Sequence, residues 1–388
     1  MQRIINGGSI MRGRVVGLAL VIFVTLCGSC FAASTFISYD TQKAFDAFSL
    51  SHAKWNKDAG GITFDEKTAG KDGEDANIAV VESPEITTPK PFDQVVPSWN
   101  AYTPAGSYLT VSLKVRIDGT WTKWYKMMLY DTDGKPEAKK SFNDQNDALG
   151  RVGQDTLMLK KNADAVKIRV ELASADGKVY PSLRYLAVDM SDPAKLTDDI
   201  PAVKSVWGKE IDVPYLCQLS VKGGSVWCSP TSVAMVLDYW SKQLNRPEMN
   251  VGITEAANNI LDHGWGGTGN WSFNAAYAGS FKGMHAQIMR FTSVSQIEEW
   301  IAKGIPVIVS LDYRRLNRWK QGRVVGHLMV IRGFTKDGDP IFNDPWAYLD
   351  KGEKLRKVFK RADLEYAWLG NEGSRGTVYI IYPEDYKL

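Results

Sequence analysis

Trp227-Cys228-Ser229-Pro230-Thr231-Ser232 leads into Val233, Val236, Leu237 and Trp240, apolar residues spaced i, i+3, i+4, i+7. That spacing predicts a helix with one buried stripe, and Pro230 suits its first turn, where a missing N–H costs nothing. Cys228 therefore falls at a helix N-terminus. Unpaired backbone N–H groups and the positive end of the helix dipole favour a thiolate there and lower the thiol pKa. The plainer alternatives are a small buried cysteine or half of a disulfide.

The chain has 388 residues, 44% hydrophobic and 11% aromatic, enough for two packed domains. Arg3, Arg12 and Arg14 precede the apolar run Val15 to Leu26, and Cys30-Phe31-Ala32-Ala33 follows with small residues. This order predicts an export signal over 1–33, with Met11 an alternative start, and hence a periplasmic, cell-envelope or extracellular protein. A lipoprotein anchor at Cys27 or Cys30 is not expected, since neither cysteine has a proper lipobox before it. Removing 1–33 leaves 44 basic against 44 acidic residues and no second long apolar run. No nucleic-acid partner and no integral membrane segment are therefore expected. Cys217 and Cys228 are the cysteines that remain, and in an oxidising compartment they suit a disulfide as readily as a nucleophile and a bystander.

Residues 34–195 are expected to form an all-β sandwich, jelly-roll-like. Leu109, Val111, Leu113, Val115 and Ile117 alternate with polar residues, Asp118-Gly119 gives a turn, and Trp121 to Leu129 returns. Val166, Ile168, Val170 and Leu172 repeat the pattern, as does the run from Leu183 to Val188. The polar, proline-bearing stretch that follows is a linker, set at 196–204, and 205–388 form an α+β domain. There Ser295 to Lys303 reads as helix and His263 to Trp271 as glycine-rich loop. Val307 to Leu311, His327 to Phe334, Pro340 to Asp344 and Thr377 to Tyr382 read as strands.

A cysteine nucleophile needs a base, an orienter for that base and donors for the oxyanion. His327 begins one apolar strand, Asp344 ends the next, and Thr335-Lys336-Asp337-Gly338-Asp339 between them reads as a hairpin turn. A turn centred there sets His327 across from roughly residues 345 to 347, close to Asp344. Such a carboxylate fixes the imidazole tautomer. Gln218 offers an uncharged amide for the oxyanion.

These residues resemble the double-glycine leader peptidases and their exported relatives, the C39-like, papain-like cysteine peptidases. The resemblance lies in Val213-Pro214-Tyr215-Leu216-Cys217-Gln218, Cys228-Ser229-Pro230-Thr231-Ser232, Gly326-His327-Leu328-Met329-Val330 and Asn343-Asp344-Pro345. It covers about residues 207–383 and implies Cys228 as nucleophile, His327 as base, Asp344 as orienter and Gln218 as oxyanion donor. Ser229 stands where the family usually has glycine, placing a Cβ beside the nucleophile. The leader peptidases sit on transporters, and this chain has no transporter segment, so substrate class does not carry over. The segments Val96 to Asn100 and Trp121 to Trp124 resemble an accessory module found ahead of this peptidase domain.

Trp227 and Ser229 beside the thiol, Trp265, Asn270 and Trp271 on the glycine-rich loop, and Asn343 are expected to bind substrate, a peptide or a peptidoglycan-derived one. Trp99, Trp121 and Trp124 offer a carbohydrate platform or core packing, the latter favoured. Arg314, Arg315, Arg318, Lys320 and Arg323 form a basic segment, read as a solvated face. Asp131 to Lys135 lacks the ligands of a calcium loop, and His52, His263 and His285 lack metal spacing, so no metal and no cofactor is expected. Acyl transfer to water is the expected reaction. Transfer to an amine, or a non-catalytic glycan-binding protein with bridged cysteines, are the alternatives.

Overall fold

The computed structural model describes residues 34–66, 77–131, 139–192, 199–369 and 374–388. The export segment, residues 132–135 of the calcium-like turn and residues 196–198 of the linker lie outside these.

The N-terminal strands are antiparallel and hydrogen-bonded into one connected sheet of thirteen strands. Two sheets facing each other were expected. The connection arises because the strand Ile86–Tyr102 pairs through its first half with Thr156–Ser174 and through its second half with Ser182–Ser191. The alternating run lies in the strand Ser107–Ile117, whose Leu109, Val111, Leu113 and Val115 are buried. Asp118 and Gly119 both take positive φ, 50° and 77°, the backbone of a tight hairpin turn, and Ile117 pairs with Thr120 across it.

The C-terminal half carries a second antiparallel sheet of six strands. Their order is Met284–Arg290, Thr377–Pro383, Val307–Asp312, Gly326–Phe334, Pro340–Asn343 and Arg356–Val358. The predicted helix runs Cys228–Leu244, with Pro230 inside its first turn. Val233, Val236, Leu237 and Trp240 are buried, and Trp240 donates its indole N–H to the Ile381 carbonyl at 2.8 Å, fastening the helix to the sheet. Asn245 ends it in the left-handed conformation. The stretch after the linker is tied down as well: Val203 N–H donates to Glu298, and the Ile200 carbonyl accepts from Ser295.

The strand Met284–Arg290 is an edge of this second sheet, pairing there with Thr377–Pro383 alone. Its outer backbone groups are satisfied by side chains from the N-terminal strands. Asn100 donates to the Ala286 carbonyl at 2.7 Å and accepts from the Ala286 N–H at 3.0 Å. Ser98 Oγ accepts from Ile288 N–H at 3.3 Å and Asp189 Oδ2 from Arg290 N–H at 3.0 Å. Ala286, Ile288 and Arg290, alternate residues of the edge, thus have side-chain partners where a neighbouring strand would otherwise stand. The helix Trp271–Ser280 packs on the same surface, and Gly279 is required there: a Cβ would lie 2.0 Å from the Asn100 amide nitrogen. Trp99, buried against Tyr130 and Phe273, completes the contact. One hydrophobic core runs through both halves.

Candidate active site

The strand Gly326–Phe334 and the strand Pro340–Asn343 form the predicted hairpin, with Val330 opposite Asn343 and Ile331 opposite Phe342. Continuing this register sets His327 across from residue 346, and Asp344, just past its strand, turns back toward the ring. Asp344 Oδ1 lies 2.7 Å from His327 Nε2. Cys228 acts on the same ring, the thiol and the imidazole each shifting the other's pKa. The helix brings a half-buried Cys228 and the hairpin a buried His327 to one point.

The electrostatics follow from these contacts. Burial pushes the Cys228 thiol up, but the hydrogen bond and charge of His327, with the backbone N–H groups of Leu328 and Ser229, bring it below the ordinary thiol value. Burial alone lowers His327, and its bonds to Asp344 and Cys228 outweigh that, raising the imidazole to about 9. Asp344 is raised by desolvation yet held below the usual carboxylate range by His327 and Lys357. The three groups in a row are therefore a thiol drawn below its ordinary value, an imidazole raised above its own and a carboxylate held low.

Gln218 is buried beside them and donates from Nε2 to the Gly224 carbonyl at 2.8 Å. Because that partner is an acceptor, the amide orientation is fixed, with one N–H still undirected by this bond. Gly224 is needed for this approach, since a Cβ there would fall 1.7 Å from the Gln218 carbonyl oxygen. Gln218 N–H in turn donates to the Pro345 carbonyl at 2.9 Å, linking the amide to the Asp344 turn.

A cleft of about 890 Å³ opens over Cys228, His327 and Gln218. Its walls include Val226, Tyr313, Trp319, Val325, Trp346 and Tyr348, which are largely apolar and which the sequence did not single out. Tyr313 and Trp319 stand on and just after a short helix, and Trp346 follows the Asn343-Asp344-Pro345 motif, the one local signal for it.

The six residues expected to bind substrate lie outside this lining. Ser229 turns inward, hydrogen-bonding Asn274 Oδ1 at 2.8 Å and the Tyr379 hydroxyl at 3.0 Å, so its side chain does not narrow the cleft. Asn343 is buried and donates to the Val213 and Pro214 carbonyls at 3.0 Å each. Asn270 caps the helix Trp271–Ser280 and donates to Asp262. Trp271 gives its backbone N–H to Asp155 at 2.6 Å, within the contact between the two halves. Trp265 folds its ring over Gly267, and Trp227 lies against Gly223. Each is held by local packing or capping that composition does not reveal.

Cys217 is a free thiol, donating to the Ala347 carbonyl at 3.3 Å, and Cys228 is free as well. The ring faces of the carbohydrate candidates are occupied: Lys114 and Arg169 stand 4.5 and 4.3 Å from the centre of Trp124, and Lys114 is 5.4 Å from that of Trp121. Within the basic segment, Arg314 and Arg315 pair with Asp312, and Arg318 with Asp363.

Residues 35–191 match the family model described as the Peptidase C39 N-terminal domain, and residues 210–374 that of the Peptidase_C39 like family. No curated protein matches the chain. Among solved structures, a C39-like peptidase from Bacillus anthracis shares 17% identity, with 45% of this chain and 96% of that one covered and a TM-score of 0.33. TmCBM61 in complex with β-1,4-galactotriose shares 11%, with 42% and 87% covered and a TM-score of 0.15. Neither structural likeness is strong enough to bear on the argument. The two family matches, in order and over most of the described residues, carry it: the chain belongs to the C39-like peptidase family.

Proposed function

We propose that the protein is an exported, papain-like cysteine peptidase that hydrolyses amide bonds, with Cys228 as nucleophile, His327 as acid and base, and Asp344 as orienter. The observation that carries this reading is the meeting of Cys228, His327 and Asp344 at one cleft, with Asp344 Oδ1 2.7 Å from His327 Nε2 and the Cys228 thiol and His327 ring each shifting the other's pKa. The N-terminal strands, hydrogen-bonded into one connected sheet, serve in this reading as its fixed partner.

The thiolate attacks the scissile carbonyl carbon, forming the S–C bond and moving the carbonyl electron pair to oxygen. The Gln218 amide and the Cys228 backbone N–H, one of the first N–H groups of its helix and so without an intrahelical partner, receive that oxyanion. His327 gives its proton to the departing amine as the C–N bond breaks, leaving a thioester. The neutral imidazole then takes a proton from water as the water oxygen attacks, and breakage of the C–S bond restores thiolate and imidazolium. Asp344 holds the ring throughout.

The cleft walls, largely apolar but with Glu353, Lys354, Arg356 and Lys357 among them, favour a peptide segment with bulky apolar side chains over a sugar-rich fragment. The test is mature protein offered to a mixed peptide library, with products read by mass spectrometry. Cleavage that is lost in Cys228→Ala and kept in Cys217→Ala supports the reading. Cleavage that survives Cys228→Ala overturns it.

A further inference from the structure

A lysine side chain also reaches the carboxylate of this site. Lys357, on the strand Arg356–Val358, sets Nζ 2.7 Å from Asp344 Oδ2, 3.1 Å from the Tyr313 hydroxyl oxygen and 3.1 Å from the Trp346 carbonyl oxygen. An ammonium has three hydrogens, and these are three fixed acceptors. A lysine at a cleft margin ordinarily keeps its head mobile in water. This one is immobilised.

Asp344 is held at both oxygens. Oδ1 faces His327 and accepts from Trp346 N–H at 2.9 Å, while Oδ2 accepts from Tyr313 at 2.9 Å and from Lys357. Rotation of the carboxylate breaks bonds on both sides at once. A carboxylate facing an imidazolium alone also raises the basicity of the whole ring, so the proton on its cysteine-facing nitrogen is given less readily to a leaving amine. A cation on the far oxygen opposes that grip.

We propose that Lys357 is a positioning residue of this site, fixing the Asp344 carboxylate against His327 and withdrawing part of its negative charge from the imidazole. The proposal rests on the cysteine-peptidase reading. The other groups facing His327 are Cys228 from the helix, Asp344 from the turn and the Tyr313 ring, 4.6 Å away. On the neighbouring strand, Asp312 is occupied by Arg314 and Arg315. Lys357 is thus the cation aimed at the carboxylate on which the ring depends.

The experiment measures the alkylation rate of Cys228 in the full-length protein against pH, using the anionic reagent iodoacetate and peptide mass spectrometry to separate Cys217. With an anionic reagent the rate rises as the thiolate forms and falls as the imidazolium loses its charge, so the basic limb reads His327. Lys357→Met is expected to move that limb upward by roughly one pH unit, since removing a nearby cation favours the protonated ring. Lys357→Arg is expected to restore it, and Lys357→Gln gives the same upward shift should the methionine variant fail to fold. A basic limb that stays in place while only thermal stability falls overturns the proposal and leaves the lysine a packing role. A wild-type profile with no basic limb and an ordinary thiol overturns the peptidase reading itself, a distinguishable failure.

Discussion

The side-chain amide of Asn100 closes both backbone groups of Ala286, accepting from its N–H at 3.0 Å and donating to its carbonyl at 2.7 Å, across 186 residues of chain. An asparagine here does the work of a strand residue. Asn100 is fully buried, so Asn100→Ala leaves a donor and an acceptor without partners, at a cost of about 2 kcal/mol. Urea denaturation of the variant measures this, and a loss below about 0.5 kcal/mol, the range of an ordinary surface change, contradicts the account.

Catalysis should follow a bell in pH. The acid limb reflects Cys228, whose thiolate is favoured below the ordinary thiol range, and the basic limb reflects His327, which loses its proton near 9. In His327→Ala the cysteine loses its stabilising partner, so labelling with neutral iodoacetamide should move up toward the ordinary thiol pKa of about 8.5. Labelling that keeps its acid onset in that variant argues against the pair.

On the proposed mechanism, Gln218→Ala removes an oxyanion donor without touching the thiol. It should lower kcat by about 10²- to 10³-fold while leaving the alkylation profile of Cys228 unchanged. Gly224→Ala should reproduce this kinetic defect, because its Cβ displaces the Gln218 backbone. A normal kcat in Gly224→Ala, measured on a cleaved library peptide, means the contact is not what holds the amide.

Ser229→Gly separates two readings of one residue. If the side chain narrowed the cleft, glycine would widen substrate choice. Because its hydroxyl is bonded to Asn274 and Tyr379 inside the core, the expected result is a stability loss of about 1 kcal/mol with kcat/KM and specificity close to wild type.

The parts of the site legible in the sequence are those made by short-range geometry. The spacing after Cys228 defines its helix, and the turn between Phe334 and Pro340 sets Asp344 near His327. Residues chosen for their proximity to the glycine-rich loop were misplaced, because Asn270 and Trp271 serve as a helix cap and an interface anchor. Tyr313 and Lys357 were missed for the opposite reason. They come from separate short elements, and nothing in their local pattern marks a side chain that meets Asp344 only when the sheet closes. The clasp between Asn100 and Ala286 was illegible too, since a side chain replacing a ladder bond has no periodic signature.

His327 and Asp344 lie 17 residues apart on one hairpin, whereas Cys228 precedes the histidine by 99. Local pairing closes a small loop and can form early, while the thiol reaches its base only after its helix has docked on the assembled sheet. On the cysteine-peptidase reading, the imidazole and carboxylate meet through local pairing alone, whereas the thiol is added by long-range packing, so a change that loosens the docking of the Cys228 helix disarms the site while leaving the His327–Asp344 pair intact.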